Sequence, residues 1–293
     1  MNRGNKQMRV NVEKDREEAT VHTMNPVHRS GPVFYVSLPR DTETPEGHET
    51  NGEEVKHRLV SILWDHLVAM ESPPWTSCLS SNRAEFPIQV VRDPLGKPHL
   101  MLGAHRGPAI SFSEGGGKVW AALCGDESDV GIDVAEAAEF RGEYPFHRVF
   151  NAQEFQLVLN LAGGDLEKAS ALLWSVKEAV VKALGCAFHF VDPLQIHVYP
   201  SIEENDGYTF PVRLSGKALA RFSTGAGPSL WVRSFPQVKM WLSIAVLNRH
   251  IDTAMGGSML RACPGLAAAR RMPHWQPFPN QVDLLSSQRG DLG

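Results

Sequence analysis

Residues 169–185 read ASALLWSVKEAVVKALG. Leu173, Val176, Val180 and Leu184 recur at helical spacing, joined by Leu172, Ala179 and Ala183. That pattern predicts one long helix with a broad apolar stripe, and Gly185 stands where a left-handed cap would end it. Glu178 and Lys182 are four residues apart, so they leave the helix on the same side. In that order they suit a surface ion pair, worth only about 0.3–0.5 kcal/mol. Alone, the pair specifies no function.

Working outward, Val130-Gly131-Ile132-Asp133-Val134 reads as a short strand entered from the polar turn 125–129. An aspartate in a buried apolar strand is costly unless something pairs with it. Hydrogen bonding in a turn is one reading of Asp133, and a metal-binding carboxylate is the other. Residues 152–161 form a further helical pattern. So do residues 55–70, with apolar positions Val55, Leu59, Ile62, Leu63, Leu67 and Met70, stopped by Pro73-Pro74.

Strand patterns cover 86–91, then 109–112 and 119–124 around the polar turn Glu114 to Lys118, a hairpin. The last third is β-rich, with strands predicted at 194–199, 208–214, 230–235 and 240–247 and a hairpin turning at Pro236-Gln237. This second hairpin echoes the first, which hints at an internal duplication of helix followed by antiparallel strands. Chance likeness of two hairpins is the alternative. An α+β fold follows either way. The expected organisation is a disordered leader over 1–30, an N-terminal half over 31–125, a C-terminal half over 126–248 and a loose tail over 249–293. In the tail, Trp275 and Phe278 are candidates to dock. A polar stretch over 39–52 reads as a loop.

Composition is permissive. Hydrophobic residues make up 42% and charged residues 21%, enough for a sizeable core. The formal net charge of -4 recommends no nucleic-acid partner. Cys78, Cys124, Cys186 and Cys263 stand far apart, which suggests neither a disulfide framework nor a zinc site. The polar N-terminus does not resemble a signal peptide, and no window approaches the roughly 18 apolar residues of a membrane span. A cytoplasmic protein is expected.

Two segments together narrow the function. G-I-D-V at 131–134, followed 45 residues after the aspartate by Glu178 of W-S-V-K-E-A-V-V-K at 174–182, resembles the signature of the 4'-phosphopantetheinyl transferases. Trp174, Ser175, Lys177, Glu178, Ala179 and Lys182 fill every fixed position of the second block. Residues 148–155, RVFNAQEF, resemble the stretch between the blocks, and Gly96-Lys97-Pro98 stands upstream as in the larger members. The specific motifs span 90–200 and the general layout 55–247. The resemblance is to the larger, surfactin-synthetase-activating type rather than the short, trimeric holo-acyl-carrier-protein-synthase type. It implies a monomer of two similar α+β halves, a pseudo-dimer with coenzyme A bound in the cleft between them.

The implied reaction moves phosphopantetheine from coenzyme A to a serine of an apo acyl or peptidyl carrier protein, with Mg²⁺ and release of 3',5'-ADP. Membrane and nucleic acid have no part in it. The resemblance makes Asp133 and Glu178 the metal ligands and Glu178 also the base. Lys182 is implied as a phosphate contact, and Lys97, Ser113 and Lys177 as further coenzyme A contacts, although Lys177 reads equally as a solvated surface lysine. Trp174 is read as packing.

Two positions depart from the pattern. Ala135 stands where many members carry a second acid, and Glu136, one step on, would face the other way. Glu114 stands where a histidine contacts the 3'-phosphate. Either Glu114 points elsewhere, or the loop Gly115-Gly116-Gly117-Lys118 supplies N–H groups and a lysine instead, with His105 and Arg106 as basic alternatives. These departures sustain a second reading, a catalytically weakened relative that only binds a carrier protein or coenzyme A. An unrelated Mg²⁺ phosphoryl-transfer enzyme has little support, because no G-x-x-x-x-G-K-[ST] loop is present.

Overall fold

A computed structural model describes residues 19–25, 30–40, 52–70, 88–103, 105–142, 145–204, 206–222 and 229–248. Contacts group the chain into one unit over Met1–Asp252 and another over Thr253–Gly293. The second unit, with Trp275 and Phe278, lies outside the described residues, as do Cys78, Cys263 and most of the leader and of the 39–52 loop.

Four layers make up the described part. The first helix, α1 (Gly52–Ala69), buries Val55, Leu59, Leu63 and Leu67, spaced one helical turn apart. They pack on one face of a six-stranded sheet ordered β1-β2-β6-β5-β4-β3. Its strands are β1 (His22–Met24), β2 (Val33–Pro39), β3 (Ile88–Arg92), β4 (Pro98–Leu102), β5 (His105–Gly115) and β6 (Lys118–Cys124). A second antiparallel sheet runs β7-β12-β11-β10-β8, with β9 paired to β10. Here the strands are β7 (Asp129–Glu136), β8 (Ile196–Val198), β9 (Ile202–Glu204), β10 (Gly207–Leu214), β11 (Ser229–Pro236) and β12 (Met240–Asn248). Helices α2 (Ala152–Leu161) and α3 (Leu166–Leu184) belong to the same core as this sheet. A short α4 (Gly216–Phe222) follows β10.

Between the sheets lies a third apolar layer. Val33, Trp120 and Ala122 from the first sheet meet Val130, Ile132, Val134, Leu242 and Ile244 from the second. Strands covered on both faces lose their alternation, and β6, β7 and β12 are buried along nearly their whole length. Antiparallel sheets with helices give the expected α+β class. Serines stitch the sheets together at one edge. Ile132 N–H donates to Ser111 Oγ at 3.1 Å and Val134 N–H to Ser113 Oγ at 3.2 Å, so two side chains of β5 cap alternate N–H groups of β7.

Most predicted elements are present, and four differences stand out. The expected leader contains β1, which pairs with β2, and Met24 is buried. Strands β2 and β4 fall in stretches where no element was predicted. The strand expected at 194–199 is a 3-10 turn followed by the short β8. Helix α3 begins three residues earlier than its apolar stripe, because Asp165 caps it by accepting the Lys168 N–H. Its end is as predicted, with Gly185 at φ 74°.

Candidate active site

Gly131 sets the geometry. A Cβ there would lie 2.0 Å from the Ala179 carbonyl oxygen and 2.5 Å from the Ala183 nitrogen, so only glycine lets α3 rest its backbone on β7. Asp133, two residues along, shares that face. It therefore comes under the turn of α3 that carries Lys182. The Lys182 ammonium donates to Asp133 Oδ1 at 2.7 Å, to the Ile132 carbonyl at 3.1 Å and to Ser113 Oγ at 3.3 Å. Ser113 in turn donates to the same Oδ1 at 3.1 Å. Asp133 is 6% exposed, and its charge is matched as a buried carboxylate requires.

Glu178 does not pair with Lys182 along the helix. Among the described residues its carboxylate makes no hydrogen bond or ion pair. Burial, and then the negative charge of Asp133, push its pKa from the ordinary 4.5 to about 7, while Lys182 pulls the other way. Burial also raises Asp133, against the pull of Lys182 and Ser113. A buried and a half-buried carboxylate thus share one ammonium, which leaves the site short of positive charge. A hard divalent cation fits that deficit, since Mg²⁺ commonly takes one or two carboxylates and completes its shell with phosphate oxygens and water. No larger group of acids, histidines and cysteines gathers among the described residues, so Asp133 and Glu178 would be the protein's share.

The two departures are resolved structurally. Ala135 is buried in the core beneath α3. Glu136 faces away, where Oε1 accepts the Gly116 N–H at 2.8 Å, tying β7 to the β5–β6 turn. That contact uses an N–H that the glycine loop would have offered to a phosphate. Glu114 points toward α1, pairing with Lys56 at 3.1 Å and Arg40 at 3.6 Å. Lys118 lies over the Trp120 ring. Arg106 lines an open pocket of about 220 Å³ with Ala109, Asp126, Ser128 and Asp129; the His105 side chain lies outside the described residues.

Two residues expected to contact the cofactor are buried and paired within the protein. Lys177 is neither a solvated lysine nor a member of the Asp133 cluster. It is fully buried, ion-paired with Glu154, and donates to the carbonyls of Pro193 at 2.7 Å and Val149 at 3.1 Å. The apolar stripe of α3 is wider than its spacing suggested and carries Lys177 inward. Glu154 had no role assigned from sequence. It also accepts the Asn151 N–H at the start of α2 and the Val198 N–H on β8, and the N-x-x-E capping pattern is the signal for the first of these. Lys97 is also buried, its ammonium bonded to Asp129 at 2.7 Å and to the Ala183 carbonyl at 2.9 Å. It clamps the end of α3 to the start of β7. Trp174 packs against Phe140 and Phe188, as expected.

Residues 129–222, from β7 through α4, match the family model of the 4'-phosphopantetheinyl transferase superfamily. This segment belongs to that superfamily. It carries Asp133, Glu178 and Lys182, while Ser113, Lys97 and Glu114 lie outside it. No curated protein matches the chain. Among solved structures, the chain is similar to an ACPS–CoA complex from Chronobacterium ammoniagenes at 18% identity and a TM-score of 0.35, covering 43% of this chain and 99% of that one. It is also similar to the holo-[acyl-carrier-protein] synthase of Thermotoga maritima at 20% identity and a TM-score of 0.30, covering 42% of this chain and 64% of that one. Among the described residues no helix is long and apolar enough to cross a membrane.

Proposed function

We propose that the chain transfers the 4'-phosphopantetheine group of coenzyme A to a serine of an apo acyl or peptidyl carrier protein, releasing 3',5'-ADP. The reading rests above all on one observation. Inside the segment matched to the superfamily, Lys182 neutralises Asp133 and leaves Glu178 poised near pH 7.

In this reaction the carrier serine loses its proton to Glu178, directly or through a water. Its oxygen then bonds to the β-phosphorus as the bond to the leaving 3',5'-ADP breaks. A base works best when its pKa lies near the working pH; in the metal-free protein burial next to Asp133 puts Glu178 there, and a bound Mg²⁺ would lower it. Mg²⁺ bound by Asp133 and Glu178 would supply charge neutralisation at the pyrophosphate. Lys182, 28% exposed at its side chain, is within reach of a phosphate placed over Asp133. Ser113 orients both Asp133 and Lys182.

The larger type, a monomer of two similar halves, is supported by the two helix-backed sheets packed face to face. The cleft between the halves is where coenzyme A would bind. The test is incubation with coenzyme A, Mg²⁺ and a panel of apo fatty-acid, polyketide and peptide carriers. Mass spectrometry should show one phosphopantetheine added to the carrier serine. A panel left wholly unmodified while coenzyme A still binds overturns the transferase reading in favour of a binding-only relative.

A further inference from the structure

Under α3, three serines form a row that the chemistry above does not use. Ser243 on β12 stands directly opposite Asp133 on β7, and Ser234 on β11 stands directly opposite Ser243. Residues opposite one another in antiparallel strands share a face, so Asp133, Ser243 and Ser234 form one line across the sheet. That face is the one α3 covers. Ser175 of α3, one turn before Glu178, completes the set, and all three serines are fully buried.

Hydrogen bonds join the row. Ser175 Oγ lies 2.9 Å from the Leu172 carbonyl, to which it can donate. Ser175 and Ser243 are 2.7 Å apart and Ser243 and Ser234 are 2.8 Å apart, and in each pair either hydroxyl can be the donor. Ser243 thus bridges α3 and β11 whichever way the protons run. Short directional bonds in a dry interface hold a helix more tightly than apolar packing, which tolerates sliding.

We propose that Ser243 is a positioning residue for the transfer reaction: its hydroxyl fixes the depth and register of α3 on the second sheet, and so the placement of Glu178 and Lys182 beside Asp133. This rests on the transferase reading. Gly131 permits the close approach of the helix, and the serine row sets where along the sheet it stops. Ser175, Ala179 and Lys182 lie along one side of α3, so a shift at the first is passed to the last.

The test compares the full-length wild type with Ser243→Cys, which keeps the branching of the side chain but has a larger, weakly donating sulfur, and with Val158→Ala, a core truncation in α2 outside the row. Transfer kinetics are measured below the unfolding temperature of every variant, with Mg²⁺ binding followed by calorimetry. Ser243→Cys should lower kcat about tenfold, leave KM for coenzyme A within about twofold and weaken Mg²⁺ binding several-fold. Val158→Ala should lower Tm alone. In a cycle of Ser243→Ala and Ser175→Ala, the double variant should lose little more kcat than either single one. A Ser243→Cys enzyme whose kcat and Mg²⁺ affinity match those of the wild type overturns the inference while leaving the transferase reading intact. If the wild type transfers nothing, the transferase reading fails and the role of Ser243 in transfer fails with it. Mg²⁺ binding then tests only the placement of α3, which unchanged binding in Ser243→Cys refutes and weakened binding supports.

Discussion

Lys182 places its ammonium 2.7 Å from Asp133 Oδ1 rather than on Glu178, its neighbour one helical turn earlier. That choice of partner divides two acids into one matched carboxylate and one held near neutrality. Removing the ammonium should unbalance both. Lys182→Met is expected to cost about 1–3 kcal/mol, discounted because the lysine is partly exposed. It should also abolish most transfer, with Lys182→Arg recovering stability but little activity. Urea unfolding and transfer assays check both.

The raised pKa of Glu178 has a defined sign for stability. Glu178, at about 7 against an ordinary 4.5, binds its proton more tightly folded than unfolded. Its contribution is complete below about pH 4.5 and lost as pH rises through about 7. Glu178→Gln should therefore be more stable than wild type by about 1–3 kcal/mol at about pH 8, with the gain vanishing near pH 4.5. Parallel stability curves for the two proteins would contradict the assignment.

The same proton competes with a metal. Apparent Mg²⁺ affinity should fall about tenfold for each pH unit below about 7 and level off above it, as expected when one ligand must deprotonate. Calorimetry at several pH values would register this, along with a proton released per ion bound below pH 7. Glu178→Gln should flatten the dependence.

Lys177 makes a contrasting case. Lys177→Met strands Glu154 as a buried unpaired carboxylate, at a cost of about 3–5 kcal/mol. Protein that remains folded at low temperature should keep a near-normal kcat. A large kcat loss with unchanged Tm would place Lys177 at the reacting groups after all.

Helix α3 and β7 were legible because their apolar residues follow the periods that each structure imposes, and because Asp133 and Glu178 sit in blocks with fixed spacing. Other parts were hidden for identifiable reasons. The role of Gly131 depends on how close a helix comes to a strand, which spacing along the chain does not encode. The side on which Lys177 lies was ambiguous, because its hydrocarbon stem suits a surface as well as a core. Glu114 could be seen to break a pattern, but its partners Lys56 and Arg40 are far away in sequence. The serine row draws on three separated elements, and each serine on its own reads as an ordinary small residue.

The central claim is that Asp133, Glu178 and Lys182 form the transferring site while Glu136 stands outside it. Intact-mass measurement of carrier modification by wild type, Glu178→Gln and Glu136→Gln tests this most directly. Glu178→Gln should lose at least about a hundredfold in rate, the usual weight of a general base, and Glu136→Gln should stay close to wild type. Equal losses in the two variants, or full activity in Glu178→Gln, would contradict it.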